Sequence, residues 1–451
     1  MKKRTFLKIA GAIGAGSILS QLEQLGAKSA VPEKLKNWAG NVTYSTENLV
    51  SAKSVAEVKD CLRKTGKLKV LGTRHCFNTI ADSKDGFLSL TEMHDAPVLD
   101  ETAKTVTVDA NMTYGRLAPW LEDRGFALHN LASLPHISVA GAVSTGTHGS
   151  GEKNGNLSTA VRGLELLTAA GEELGIAGEK GREGRNAAVV GLGALGAITK
   201  VTLAVQPAFA VRQYVYENMP LEAALAGFDT IQASGYSVSL FTDWRRKNVN
   251  EVWIKERIGA ATPFAAKPEW FGAKLAKKNL HPIAELGAEN CTEQMGVPGP
   301  WYQRLPHFKM GFTPSAGKEL QSEFFLPRGQ AAEGISAVEK LNEKISPLLL
   351  ITEIRTIAGD DLWLSPCYRR DSVAIHFTWQ QNWPAVKALL PEIEKALAPL
   401  DARPHWGKLF TMEPAVLRSR YERLPEFVEL AKRHDPAGKF RNEFLDRYIF
   451  A

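Results

Sequence analysis

Between Lys53 and Gly66, KSVAEVKDCLRKTG places Val55, Val58, Cys61 and Leu62 three and four positions apart, which gives a helix one apolar side. Ser54 followed by Glu57 adds the capping-box spacing at its start. KLKVLG then reads as a strand, and GFLSL and AKTVTVDANM carry further β patterns. YGRLAPWLEDRG predicts a second helix, and VRGLELLTAAGEEL a strand and turn. From about Phe209 the predicted strands lengthen, as in YSVSLFTDW, EVWIKERI and LLLITEIRTIA. Strands cluster instead of alternating strictly with helices, so the fold class is α+β, with a domain boundary near Gln206 and Pro207. No internal repeat or low-complexity stretch interrupts this pattern.

Composition narrows the class. A chain of 451 residues with 44% hydrophobic and 23% charged content is ordinary globular protein of about two domains. Residues 1–30 carry +4 of the net charge of +6, so the remainder is near neutral and gives no argument for a nucleic-acid partner. Those 30 residues have a basic head, an apolar run from Ile9 to Leu19 and small residues from Ala27 to Ala30, the pattern of an export signal. KRTFLK resembles a twin-arginine signal with Lys3 at the first arginine position. The expected location is periplasmic or extracellular, and cytoplasmic if the signal is not used. No later apolar stretch is long enough to span a bilayer, so the mature chain is not expected to insert in a membrane. Cys61, Cys76, Cys291 and Cys367 lie far apart without paired zinc spacing, and Cys61 falls on the apolar side of its helix.

Two glycine-rich stretches invite a ligand. Gly191, Gly193 and Gly196 have the spacing of a dinucleotide-binding turn, yet Ile198, Thr199, Val201 and Thr202 continue as a strand, so no helix follows to receive a pyrophosphate. These glycines read either as close packing around a bound group or as a plain turn. HNLASLPHISVAGAVSTGTHGSG mixes glycines with hydroxyl side chains, a surface suited to a diphosphate laid against the main chain. Its histidines, His129, His136 and His148, match no metal-ligand spacing, and no metal is expected.

Chemistry also gathers in the later strands. Glu353 and Arg355, His376 and Thr378, and Gln321 and Glu323 each stand two apart, so each pair shares one face of a strand. Together with Lys408 in RPHWGKLF they can form the polar wall of a pocket.

LGTRHCFN, NLASLPHISVAGAVSTGTHGSG, NCTEQMGVPGPW, ELQSEFFLPR, TEIRT, HFTW, RPHWGKLF and DPAGKFRNEF together resemble the alditol oxidases, members of the vanillyl-alcohol-oxidase-type flavoproteins, from Asn37 to Leu445. The resemblance implies a two-domain fold: after the 1–30 signal, a PCMH-like FAD-binding domain over 31–207, a substrate domain with a large antiparallel sheet over 208–430, and a 431–451 segment returning to the FAD domain. It implies FAD bound covalently through His75, with Arg74 and Cys76 standing where small residues are usual. It places the flavin against Val70, Leu71, Gly72, Thr73, Arg74, Cys76, Ser133, Ser138, Gly141, Ser144, Thr145, Gly146, Thr147 and Ile198. A polyol substrate would be held by Ser133, Gln321, Glu353, Arg355, His376, Thr378 and Lys408, with Arg355, Lys408, Glu353 and His376 acting in catalysis. The implied reaction is oxidation of a terminal primary alcohol of xylitol or sorbitol by hydride transfer to flavin N5, with dioxygen as acceptor giving hydrogen peroxide, in a monomer. Two rivals stand beside it: a sugar-1,4-lactone oxidase or dehydrogenase, against which SLPHISVAG argues, and a non-catalytic exported sugar-binding protein.

Overall fold

Three larger sheets, beside a two-stranded pairing of Phe126–Ala127 with Gln206–Pro207, carry the architecture of the computed structural model, which describes residues 34–178, 181–312 and 317–451. The expected export signal lies outside the described residues.

The first sheet is small and parallel, with Gly86–Ser89 between Leu49–Ser51 and Leu68–Leu71. Parallel neighbours need a crossover, and the helix Val55–Lys64 supplies it by burying Val58, Cys61 and Leu62. Ser54 caps that helix through the Glu57 amide, while Glu57 reaches back to the Lys53 amide instead of the cap residue itself. The second sheet is antiparallel in the order Val98–Asp100, Thr105–Asp109, Ala197–Ala204, Val161–Leu167, Glu173–Ala177. Ala197–Ala204 alternates buried and half-buried residues, the signature of a strand with one face on a core, and it directly follows the GLGALG turn.

The third sheet has ten strands. At its centre Ser237–Thr242, Leu349–Ile357, Ser372–Gln380 and Glu319–Pro327 pair antiparallel in that order. Both faces of these central strands are buried. One face packs into the main core through Leu320, Phe324, Ile354, Ile375 and Phe377. Its few polar side chains are satisfied, as where Trp379 Nε1 donates to Ser322 Oγ at 3.1 Å and Trp244 Nε1 to Thr352 Oγ1 at 2.8 Å.

Residues near the C-terminus pack against the small parallel sheet. The Leu68 amide donates to Lys439 O at 2.9 Å, and Asn442 Nδ2 donates to the carbonyls of Thr79, Ile80 and Asp82. Among the described residues no helix is long and apolar enough to cross a membrane.

Candidate active site

Register brings the polar pairs together. Glu353 stands opposite His376, and His376 opposite Glu323, while Thr378 stands opposite Gln321. Directly opposed residues share a face, so five polar side chains from three strands form one wall. Arg355, two residues from Glu353, extends it. Each of these six is at least 91% buried, which for charged groups requires partners.

The partners are one another. Arg355 Nη2 donates to Glu323 Oε1 at 2.7 Å, and its Nε lies 3.6 Å from Glu353 Oε1. Lys408 Nζ donates to Glu323 Oε2 at 2.7 Å and to His376 Nδ1 at 2.7 Å. That contact makes Nδ1 the acceptor, so Nε2 carries the proton toward Thr378 Oγ1, 3.0 Å away. A second lysine sets a second tautomer: Lys255 Nζ lies 3.1 Å from His307 Nδ1, and His307 Nε2 lies 2.7 Å from Glu353 Oε1. Burial alone would raise both carboxyls; Arg355 and His307 outweigh it at Glu353, and Lys408, His148 and Arg355 at Glu323, holding both below the usual range. Burial lowers the pKa of His376 and His307 to about 4, with Lys408 and Lys255 respectively adding to the effect. Two carboxylates therefore face two cations, Arg355 and Lys408, among neutral imidazoles.

Lys408 is positioned from the other end of the chain. Asn78 Nδ2 donates to the carbonyls of Trp406 and Lys408 at 2.8 and 2.7 Å, and the Phe77 amide donates to Gly407 O at 2.7 Å. The RHCFN segment is thus fastened to the PHWGK segment, which sets His75 and Cys76 beside the polar wall. The His75 ring sits 4.4 Å from the Trp38 ring and 4.9 Å from that of His136, with Nδ1 3.2 Å from His136 Nε2. Burial, with His136 and Lys408 adding to it, pulls its pKa to about 3, so the ring is neutral. Burial pushes the Cys76 thiol up to about 11, away from a reactive thiolate.

His75 and the polar wall line one cavity of about 600 Å³, room for a large ligand. Its opposite side is Val70, Leu71, Gly72, Thr73, Arg74, Cys76, Ser133, Ser138, Gly141, Ser144, Thr145, Thr147 and Ile198. The chain there is shaped for close approach. A methyl group at Gly72 or Gly141 would lie 2.4 or 2.8 Å from Ser138 Oγ. Asn111 also lines this side, and its buried Nδ2 has no partner within the protein. An orphaned donor against a main-chain cradle fits a large polar cofactor such as FAD. Gly146 departs from the expectation: it does not line the cavity but packs toward Pro366, whose Cδ would be 3.2 Å from an added methyl, at a φ of +70°. The stretch also forms a short helix, Val139–Ser144, which buries Val139, Ala142 and Val143.

Residue spacing had pointed to Glu323 only as the neighbour of Gln321; the structure makes it the hub of the ion pairs. His307, Lys255 and Asn111 carry no local signal, since each reaches the site from a segment whose pattern says nothing of its destination.

The comparisons agree with this geometry. Residues 47–176 match the family described as FAD binding domain, and residues 315–448 the family described as D-arabinono-1,4-lactone oxidase. A solved cholesterol oxidase from B. sterolicum superposes with a TM-score of 0.72 at 15% identity, covering 92% of this chain and 96% of that one, which speaks for the fold alone. Fold and site together define an FAD-dependent oxidoreductase of the PCMH-type flavoproteins. Among sequences, an alditol oxidase of Streptomyces sp. (strain IKD472 / FERM P-14339) is 46% identical over 412 residues, spanning 91% of this chain and 97% of that protein. An L-gulono-1,4-lactone dehydrogenase of Mycobacterium tuberculosis covers 92% of this chain and 98% of its own length at 26%. The chain belongs to the alditol oxidase family.

Proposed function

We propose that this protein oxidises the terminal primary alcohol of alditols such as xylitol and sorbitol to the aldose, using FAD attached through His75. The observation that carries the reading is that the cradle holding His75 and the wall of Gln321, Glu353, Arg355, His376, Thr378 and Lys408 line the same cavity. Bound FAD supplies the two-electron acceptor, and dioxygen takes the electrons onward as hydrogen peroxide.

The chain's own residues supply position and charge. Arg355 and Lys408 polarise the reacting hydroxyl and stabilise developing alkoxide character. Burial would lower Arg355, but Glu353 and Glu323 overcompensate, so the guanidinium stays charged throughout. Lys408, whose pKa burial lowers despite Glu323, is then the group that exchanges the proton. Glu353 and His376 bind the neighbouring hydroxyl, and Ser133, Gln321 and Thr378 those further along. Because Thr378 Oγ1 accepts from His376, its own O–H remains to donate to substrate. A short alcohol leaves some of these groups unsatisfied at about 1–3 kcal/mol each, so five- and six-carbon polyols outrun glycerol.

Anaerobic flavin bleaching with xylitol, sorbitol, glycerol and L-gulono-1,4-lactone tests the substrate class apart from the acceptor. Rapid bleaching by xylitol and sorbitol is expected; faster bleaching by the lactone would replace this reading with a lactone oxidase.

A further inference from the structure

The polar wall has a centre that touches no cavity ligand in the reading above. Glu323 sits on the strand Glu319–Pro327, which flanks the wall's middle strand Ser372–Gln380, and its side chain is wholly buried. Oε1 accepts from Arg355 Nη2 and Oε2 from Lys408 Nζ, each at 2.7 Å. His148 Nε2 lies 3.2 Å from Oε1, and His376 Nδ1 lies 3.8 Å from it. One carboxylate thus spans two cations that come from different parts of the sheet, one on the strand Leu349–Ile357 and one on the loop after Arg403–Pro404.

We propose that Glu323 is a positioning residue for the reaction: it keeps Lys408 and Arg355 together at the reacting hydroxyl and sets the pH at which Lys408 loses its proton. The proposal rests on the functional reading given above. The Coulomb argument favours Glu323 over the other groups facing Lys408. Glu353 already engages Arg355 and His307. Glu319 accepts from Gln321 at 2.5 Å, and burial raises its pKa, so it contributes less charge. His75, His376 and His405 are each held well toward the neutral form by burial. With Glu323 neutral, Lys408 and Arg355 would repel across a dry wall, where like charges disfavour protonation of the weaker base. A lysine held in that way releases its proton at lower pH. The geometry separates this from scaffolding: the two shortest contacts of the Glu323 carboxylate, both at 2.7 Å, go to Arg355 and Lys408, and His148 lies further off at 3.2 Å.

Two variants and two readouts decide it. In Glu323→Gln, the titration midpoint of Lys408, followed by NMR of ε-carbon-labelled lysine with Lys408→Met as the assignment control, is expected to fall by about one pH unit or more. The lysine-dependent limb of the pH profile of kcat/KM for xylitol should move by the same amount. Glu323→Asp keeps the charge but is too short to touch both cations at once; it should retain the midpoint and lose about tenfold or more in kcat. An unmoved Lys408 midpoint in Glu323→Gln overturns the proposal, and so does a Glu323→Asp enzyme with unchanged kcat. The NMR titration needs no substrate, so a wild-type enzyme inert to xylitol would remove the functional reading while the midpoint still decides the role of Glu323.

Discussion

A single imidazole carries the cofactor half of the proposal. His75 is neutral, lines the cavity and is backed by Trp38 and His136. In the wild type, flavin should therefore stay with the chain through acid precipitation, and His75→Ala should release it; fluorescence of the denatured protein on a gel reads this directly. Cys76, with its thiol pushed up and its neighbours packed, is not expected to make a second bond, so Cys76→Ser should leave attachment intact. The substrate half rests on Lys408. Lys408→Met is expected to stay yellow while alcohol-driven bleaching slows by about 10²–10³-fold in stopped-flow measurements, the usual effect of losing one group aimed at developing charge. Unchanged bleaching would remove Lys408 from the reaction.

At the scale of elements, the period of two made the wall legible. Gln321, Glu323, Glu353, Arg355, His376 and Thr378 could be assigned to common faces from sequence because strand side chains alternate, and the one irregularity in these pairings, between Leu349 and Ile351, lies before Glu353. Which strands would be neighbours was not legible, because register over hundreds of residues depends on long-range packing. The turns were only partly readable. Gly151, at a φ of +132°, forms a parallel bridge to Ile357, and a methyl group there would sit 2.4 Å from Tyr236 O and Asn154 Nδ2. Gly151→Ala should destabilise the fold by roughly 2–4 kcal/mol through strain and clash combined, visible as a lower Tm. Arg74 is the converse. It holds a φ of 59° with its side chain exposed, a conformation glycine adopts freely, so Arg74→Gly should be neutral or stabilising by up to about 1 kcal/mol in the same assay.

Across the whole molecule, the cluster of buried imidazoles ties stability to pH. His307 and His376 titrate near 4 in the folded chain, below the ordinary 6.5. As the pH falls from about 6.5 toward 4, the unfolded chain binds protons that the folded chain does not, so stability present at neutral pH is lost through that window. The Tm should drop between pH 7 and pH 5, and His307→Asn should flatten the slope. The α+β class and the glycine-rich cradle were readable because each repeats over many residues, whereas the large antiparallel sheet was an expectation from the resemblance alone. His307, Lys255 and Asn111 were not readable, since a lone polar residue in an unpatterned segment announces nothing about what it will meet after folding.

Asn78 gripping the carbonyls of Trp406 and Lys408, and Leu68 bonded to Lys439, join points more than 300 residues apart. A ribosome must therefore have delivered nearly the entire polypeptide before the flavin chamber has its final wall. Cofactor capture is then expected to follow translation, paced by closure of distant contacts, and a nascent chain arrested before residue 405 should hold no flavin.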